Sequence, residues 1–367
     1  MLKVLRRGLK RFLPFLPGLV DRARSLKNRR LTQMAHAPRP DQGIGPYKAH
    51  VGRDMDDYWH QVETMMRVFV NPFTYYEELV SALRRIEKLS LVPACELMQR
   101  DPVDCRLVTL RHDLDADPVT GLRAARFLAR YGICGSFYLL HTSPYYADLQ
   151  GETVIRNPDL PKWIRGYIVS GCELGLHSDA LGVYQRWQRD GLSALLEELA
   201  FLRLHGAAVH GTVAHNSGPA YGAENYEVFA ERKLWDRKVS IGPQRDVPLG
   251  RLSERALGLT YEGTFARPKV AGVDADAAAA FFGDKASADI RSEPWMRRYL
   301  LNNPCCDWDA NFQFWLLGKD SWVAAGRFQN TSLFEWNIQL ERVLELLKTL
   351  PIGSRSVVVL HPEYVRG

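Results

Sequence analysis

The sequence predicts an α/β protein built around a parallel β-sheet, and three observations support this fold class. Short apolar stretches rich in β-branched and aromatic residues alternate with longer amphipathic stretches over most of the chain. With 46% hydrophobic and 11% aromatic residues, the 367-residue chain can form a large core, which excludes a disordered protein. Several apolar stretches end directly in a histidine or an aspartate, as parallel strands do when their carboxyl ends form a site.

The individual elements follow from local pattern. Apolar side chains that recur every three or four residues predict helices, and short apolar runs between polar or glycine-containing segments predict strands. Asn71 or Thr74 lies where the first helix should begin, because both residue types cap helices. Residues 141–146 predict a loop, and 235–325 show no clear pattern. In order, the predicted elements are helix 71–89, strand 107–110, helix 119–131, strand 135–140, helix 159–170, strand 173–176, helix 189–204, strand 209–214, helix 223–232, helix 330–350 and strand 356–360.

The first 30 residues form a strongly basic segment. Ten Lys or Arg side chains and one Asp give it a net charge of +9, so the other 337 residues sum to −3. At helical spacing an apolar side opposes a basic side, with Leu5, Leu9, Phe12, Leu13 and Leu16 opposite Arg6, Arg7, Lys10 and Arg11. This pattern is typical of a helix lying in an anionic membrane surface, and also of a helix packed on the body with a solvated basic face. We predict a basic amphipathic segment and linker over 1–45 and one domain over 46–367.

Charge and cysteine content narrow the expected partners and compartment. Residues 31–367 are slightly acidic, so we expect no nucleic acid as a partner. The alternative is an adaptor protein that binds nucleic acid through the basic residues 1–30. Six cysteines without a CxxC pair favour a reducing compartment. Pro14 and Pro17 interrupt the N-terminal apolar stretch, which argues against a signal peptide. We expect a cytoplasmic protein, peripheral on the inner membrane face if the basic helix binds lipid.

Charged and imidazole side chains follow five of the predicted strands. Because the carboxyl ends of parallel strands lie at one end of a sheet, residues remote in sequence should meet there. In an extended chain Asp113 and Asp115 point to the same side, whereas His112 points to the other and is expected to be structural. The strand-end residues are Arg111, Asp113 and Asp115 after the first strand, and His141, His177, His215 and His361 after the others.

These residue types suit a metal-dependent hydrolase. One aspartate and two neutral histidines form a common open zinc site that leaves a position for water. A second aspartate can accept the proton of that water, and a further histidine can protonate the leaving group. The constellation therefore predicts hydrolysis of an amide or an ester. The alternative is that the histidines are hydrogen-bonded structural residues and the two aspartates belong to a solvated loop.

Five stretches resemble motifs of the polysaccharide deacetylases with a NodB homology domain, which are similar to carbohydrate esterase family 4. The resemblance covers roughly 70–230 and 330–365. It implies a distorted (β/α) barrel of about seven parallel strands, a divalent metal that is often zinc, and removal of acetyl or formyl groups from amino sugars. The domain over 46–367 would then be a deacetylase-like catalytic domain. The stretches are RHDLDAD (111–117), GSFYLLHTSPYY (135–146), GCELGLHSD (171–179), HNSGPAYG (215–222) and VVLHPEY (358–364).

The resemblance implies a role for individual positions. Asp113 would be the general base, Asp115 and His177 would be metal ligands, and His361 would be the catalytic acid. One position departs from the family pattern, because the second histidine of the family's metal motif falls on Leu181, which cannot bind a metal. The third ligand must therefore come from elsewhere, or the site is degraded.

Four histidines and two polar residues have open assignments. We choose His215 as the third ligand because it directly follows its strand, while His210 and His141 remain alternatives. His361 is the competing candidate, as a ligand instead of an acid. Arg111 can hold an aspartate by a charge-assisted hydrogen bond. Arg111, His141 and Asn216 are expected to contact substrate, although Asn216 is also a residue type that caps turns.

The sequence therefore predicts a metal-dependent amide hydrolase that acts on an N-acylated amino sugar. A cytoplasmic location favours a nucleotide-linked or lipid-linked glycan precursor over finished wall polymer, and an anionic membrane surface is a further expected partner through residues 1–30. A second hypothesis is a non-catalytic carbohydrate-binding protein of the same fold, with Leu181 marking the loss of metal.

Overall fold

The computed structural model describes residues 70–150, 153–215, 223–233, 238–241, 244–263 and 310–366. The predicted boundary between 1–45 and 46–367, and the basic amphipathic segment, lie outside these residues. Among these residues, no helix has both the length and the hydropathy needed to cross a membrane.

Helices and strands alternate through the described part of the chain. The helices are α1 (Phe73–Leu83), α2 (Ala94–Gln99), α3 (Pro118–Ala129), α4 (Leu160–Val169), α5 (Ala180–Arg186), α6 (Gly191–Leu204) and α7 (Leu340–Thr349). The strands are β1 (Leu89–Leu91), β2 (Arg106–Leu114), β3 (Ser136–Leu140), β4 (Ala147–Gln150), β5 (Thr153–Arg156), β6 (Glu173–Ser178), β7 (Gly211–Ala214), β8 (Lys238–Ile241), β9 (Gln244–Pro248), β10 (Tyr261–Glu262), β11 (Phe312–Gly318), β12 (Ser321–Phe328), β13 (Thr331–Ile338) and β14 (Arg355–Leu360).

One mostly parallel sheet organises the fold, which confirms the α/β class. Its strand order is β10-β7-β6-β3-β2-β14-β11-β12-β13, and β1 pairs with the start of β2. Every pairing from β10 to β11 is parallel, while β11, β12 and β13 form an antiparallel extension. Seven strands along this path have a parallel neighbour, and β1 is an eighth, because it also pairs in parallel with β2. Small antiparallel pairs, β4-β5 and β8-β9, lie outside the sheet.

The central strand β2 is buried on both faces, as expected for a strand covered by helices. Its outward side chains, including Leu110, share a large apolar cluster with Phe73 of α1 and Phe127 of α3. On the inner face Leu107 packs with Leu97 of α2, which closes the amino-terminal end of the sheet. This alternation places one set of β2 side chains under helices and the other set toward the inner face.

The sheet is strongly curled toward its inner face. Arg111 of β2 donates through Nη1 to the carbonyl oxygen of Gly263, which follows β10, at 3.0 Å. Four strand spacings separate β2 from β10, about 19 Å in a flat sheet, which is farther than one arginine side chain spans. The curl brings the carboxyl ends of the parallel strands closer together, as expected if residues after different strands meet in one site. The described strands form an open path, however, and no pairing among them closes it into a barrel.

The predicted helix 330–350 is wrong in its first half. Residues 331–338 form β13, which pairs with β12 along its whole length, and only α7 is helical. A short apolar stretch beside an amphipathic one satisfies the helical and the strand period alike, and the available edge of β12 decides between them. Asn337, with φ of 55°, lies at a register shift between β13 and β12, and the strand ends one residue later at Ile338.

The predicted helix 223–232 is also wrong, because only a 3₁₀ turn over Asn225–Val228 forms. The carbonyl oxygens of Glu227 and Val228 accept hydrogen bonds from the backbone of residues 250–252 instead of from a following helical turn. A long-range segment therefore takes the acceptors that a helix needs.

Candidate metal centre

β2 carries the acidic half of the site on its inner face. Arg111, Asp113 and Asp115 alternate with outward residues, so all three project toward the same side. His112 points the other way: its Nε2 lies 2.9 Å from the Tyr76 hydroxyl, and its ring stacks on Phe137 at 4.1 Å. The expectation that His112 faces away from Asp113 is confirmed.

Three side chains from three strands converge into one cluster. Asp115 follows β2, His177 lies near the end of β6, and His215 follows β7. Each offers one ligand atom, and these atoms all lie within 4.8 Å of one another. Because β6 and β7 are neighbours and β2 is separated from β6 by β3 alone, the curl of the sheet suffices to bring the three ends together. These are the three residues that the sequence analysis named as metal ligands, and the structure brings them together.

The tautomer of His177 places two hydrogen-bond acceptors, one on His177 and one on Asp115, opposite each other. Its Nδ1 lies 2.8 Å from the Val213 carbonyl oxygen, which can only accept, so Nδ1 carries the proton. A neutral His177 then has a lone pair on Nε2, which lies 3.2 Å from Oδ1 of Asp115. That Oδ1 is buried, and none of the described residues forms a hydrogen bond to it. Either a cation between the two atoms or a second proton on His177 is required.

The donor set fits a divalent metal. One carboxylate and two imidazoles are the ligands of open zinc sites, and the histidines are held by adjacent strands, His177 in β6 and His215 directly after β7. Burial would raise the pKa of Asp115, but the attraction of His361, His177 and His215 outweighs it and lowers that pKa. The carboxylate is therefore ionised at neutral pH, which is the state that binds a metal.

Asp113 is held by a bidentate ion pair with Arg111. The Arg111 Nε donates to Oδ1 at 2.8 Å, and Nη2 donates to Oδ2 at 2.5 Å. Burial would raise the pKa of Asp113, but the adjacent guanidinium outweighs this and lowers it. The charge-assisted bond expected from the sequence is present. Because Arg111 is buried and also donates to Gly263, its placement suits support of Asp113 better than contact with a substrate.

His361 lies on the other side of Asp115. Its Nε2 is 3.6 Å from Oδ2 of Asp115, whereas His177 faces Oδ1. Burial lowers the pKa of His361 below the usual value of a histidine, and the attraction of Asp115 and Asp113 offsets this only in part. Its Nδ1 is buried without a hydrogen-bond partner in the described residues. His361 does not belong to the three-residue ligand group.

The alternatives for the third ligand lie elsewhere. His210 is exposed and precedes β7, so it occupies the end of the strand opposite to His215. His141 is buried, and its Nε2 accepts a hydrogen bond from the Asp179 backbone at 2.8 Å. This placement suits a residue that supports Asp179 rather than one that touches substrate. Asn216 lies outside the described residues.

Leu181 departs from the motif that the sequence resembles, and its side chain fills its position completely. It is fully buried in α5, and its backbone N–H donates to Oδ1 of Asn225 at 2.8 Å. No metal ligand is available at this position, and the cluster takes its second imidazole from β7 instead. The three-residue cluster therefore differs from the motif that the sequence resembles, because its second imidazole comes from the residue after β7.

Sequence reasoning missed Asp179, the buried carboxylate beside the cluster. Its Oδ2 lies 3.7 Å from Nδ1 of His215 and also pairs with Arg186. Burial would lower the pKa of His215, but the interaction with Asp179 outweighs it and raises that pKa. The available signal was the position of Asp179, two residues after His177 in the same strand-end segment.

Buried tyrosines form the floor beneath the centre. The hydroxyls of Tyr138 and Tyr261 are 2.6 Å apart, and Tyr261 donates to Glu173 at 2.5 Å. Gly175 makes room for this layer, since a Cβ there would lie 2.6 Å from the Gly211 carbonyl oxygen and 2.8 Å from the Tyr138 ring. Tyr138, Tyr261 and Gly175 therefore form a closely packed layer on the inner face of the sheet.

Comparison with protein-family models, with curated proteins and with solved structures yields no match to this chain.

Proposed function

We propose that the protein is a metal-dependent hydrolase that removes an N-acyl group, acetyl or formyl, from an amino sugar in a glycan or glycan precursor. One observation carries the proposal: Nε2 of His177 and Oδ1 of Asp115 face each other at 3.2 Å, and no other described residue forms a hydrogen bond to that Oδ1. Such a pair of acceptors is stable with a cation between them. The motif resemblance supports the amino-sugar substrate. It also supports a distorted barrel, and the curl of the sheet is compatible with that fold.

Asp115, His177 and His215 would hold the ion, with zinc as the metal best suited to this donor set. A divalent ion bound there supplies Lewis acidity, which polarises the acyl carbonyl and makes water a better nucleophile. Asp115 and His215 are each 29% exposed, so substrate can approach from the strand ends.

Asp113 is the proposed general base. Its Oδ2 is 3.9 Å from Nε2 of His177, so it borders the cluster without completing it. The bidentate bond from Arg111 keeps the carboxylate ionised and fixes its orientation. Asp113 can therefore accept the proton that water loses as it attacks the acyl carbon.

His361 is the proposed general acid. It flanks Asp115 on the side away from His177 and is 22% exposed. A protonated His361 can donate to the nitrogen of the sugar as the carbon–nitrogen bond breaks. The products are a carboxylic acid and a free amine, so one water is consumed in each turnover.

The cellular setting is part of the proposal. A cytoplasmic, nucleotide-linked or lipid-linked precursor is the proposed substrate, and the basic segment over 1–30 would bind an anionic membrane surface. Both follow from the sequence alone.

The test measures acid release from N-acetylated and N-formylated amino sugars, supplied as oligosaccharides and as nucleotide-linked sugars. We expect release of acetate or formate with added zinc, none after chelation, and none from Asp113→Asn. Leu181 supports the alternative of a non-catalytic carbohydrate-binding protein. That alternative gains if the metal-loaded protein binds such sugars and releases no acid from any of them.

A further inference from the structure

Asp179 is a buried carboxylate to which the proposed hydrolysis assigns no role. It is 1% exposed and caps the N-terminus of α5. A carboxylate this deeply buried requires compensation, and the surrounding elements supply it. Four donors bond to its oxygens: Gly182 N at 3.1 Å, Asn225 Nδ2 at 2.9 Å, Thr142 Oγ1 at 2.6 Å and Arg186 Nη2.

The position of this carboxylate is fixed from its own backbone as well. The Asp179 N–H donates to Nε2 of His141, which is itself buried after β3. Nε2 of His141 must be unprotonated to accept this bond, so a neutral His141 carries its proton on Nδ1. Asp179 is thus held by groups from the segment after β3, from α5 and from the 3₁₀ turn at once, with little freedom to move.

The outer side of this fixed carboxylate faces His215. Oδ2 of Asp179 lies 3.7 Å from Nδ1 of His215, and the His215 backbone N–H donates to the Ser178 carbonyl at 2.8 Å. The negative charge favours a proton on Nδ1, which leaves the lone pair on Nε2. His177 is arranged in the same way, with Nδ1 donating to Val213. Both imidazoles then have Nε2 available to the cluster.

We propose that Asp179 is a positioning residue for His215, and that His141 fixes Asp179 for this purpose. Carboxylates that accept from the distal nitrogen of a metal-binding histidine set its tautomer and orientation. The inference rests on the proposed metal site. The inference also explains how His215 can act as a ligand although Leu181 supplies none. Asp179 lies two residues after His177 and faces His215, so it connects the ends of β6 and β7.

The test compares two buried capping aspartates in the full-length protein. Asp179→Asn keeps the shape of the side chain and removes the charge facing His215. Asp117→Asn is the matched control, since Asp117 is also 1% exposed and caps α3 by accepting from Thr120 N at 2.8 Å. Zinc and cobalt affinities are measured by competition with a chromophoric chelator. We expect Asp179→Asn to weaken affinity by about 10- to 100-fold and the control to change it less than about threefold.

A second measurement needs no loss of metal and no activity. Nitrogen-15 NMR of the imidazoles in the metal-free protein, assigned with His215→Ala, reports the tautomer of His215. We expect the proton on Nδ1 in the wild type and on Nε2 in Asp179→Asn. A wild-type His215 protonated on Nε2 alone overturns the inference, even if Asp179→Asn does not fold. Unchanged affinity in Asp179→Asn, or equal losses in both variants, overturns it too.

Failure of the proposed hydrolysis would look different. In that case the metal-loaded protein releases no acid, while the affinity difference and the His215 tautomer remain as described. A positioning role for Asp179 is therefore testable whether or not the substrate class is right.

Discussion

Oδ1 of Asp115 and Nε2 of His177 lie 3.2 Å apart, although both atoms are acceptors in the neutral tautomer that Val213 imposes. Two lone pairs at this distance repel each other unless a positive charge lies between them. The relationship joins residues 62 positions apart in the chain, and the predictions for the metal follow from it.

The first prediction concerns metal content. Asp115→Ala and His177→Ala each remove one of the two facing acceptors, so we expect about one divalent ion per chain in the wild type and a loss of most of it in each variant. Elemental analysis of reconstituted protein measures this. A wild type without metal, or two variants with full occupancy, would contradict the assignment.

The second prediction concerns the third ligand. His215→Ala should weaken metal affinity as severely as His177→Ala, because both imidazoles belong to the cluster. His210→Ala is the matched control, since His210 is exposed at the opposite end of the same strand. The reverse order of the two variants would move the assignment to His210.

The third prediction separates two roles for His361. As a general acid, His361→Ala should keep its metal and lose on the order of 10²–10⁴ in turnover. As a ligand, the same variant should lose its metal and recover partly with excess ion. Full activity with full metal occupancy would exclude both roles.

The pH–rate profile tests the same residue. Since burial lowers the pKa of His361 in the metal-free protein, its acidic form is populated only below the usual range of an exposed histidine. The turnover rate should therefore decrease as pH rises, and the decrease should begin below pH 6.5, the usual pKa of histidine. This descending limb of the profile should be absent in His361→Ala. A limb that persists unchanged in the variant belongs to another group.

The fourth prediction concerns stability and His112, which is buried away from the site. Burial lowers the pKa of His112 to about 4, below the value of about 6.5 expected in the unfolded chain. The unfolded state therefore binds a proton first as pH falls. His112 therefore makes its full contribution to the free energy of unfolding above pH 6.5. This contribution, roughly 3 kcal/mol, is lost as pH falls toward 4.

Urea unfolding of the wild type and of His112→Gln, from pH 7 to pH 4.5, measures that contribution. Glutamine retains hydrogen-bonding groups for Tyr76 but does not titrate. The stability advantage of the wild type should shrink as pH falls. An advantage that is constant with pH would mean that His112 has an ordinary pKa when folded.

The fifth prediction concerns the basic segment. Deletion of residues 1–30 removes a net charge of +9 together with the apolar side of the predicted helix. Sedimentation with anionic liposomes should then fall sharply, because charge and apolar area both contribute to such binding. Activity on a soluble substrate should be retained. Full-length protein that ignores anionic liposomes would contradict membrane binding.

The parallel core and the strand-end positions could be predicted from the sequence because both depend on local pattern. All strands of a parallel sheet run in the same direction, so residues that follow them lie at the same end. Four such residues could therefore be expected there: Asp113, Asp115, His177 and His215. The structure brings Asp115, His177 and His215 within reach of one another. Alternation along β2 likewise separated His112 from its neighbours.

Other features needed information that no local window contains. Residues 331–338 fit two periods, and pairing with β12 selects the strand. Residues 225–228 form only a short turn because residues 250–252 take their carbonyl oxygens. The predictions over 1–69 and at Asn216 lie outside the described residues.

The sequence by itself determined which side chains leave each strand and in which direction, because backbone alternation is a local property. Only the tertiary structure decided what each strand-end residue touches. Among the histidines, His141 and His215 follow strands in the same way, yet one is buried against the backbone of Asp179 and the other faces its carboxylate. The physical reason is that tautomer, charge and access depend on neighbours supplied by other strands through the curl of the sheet.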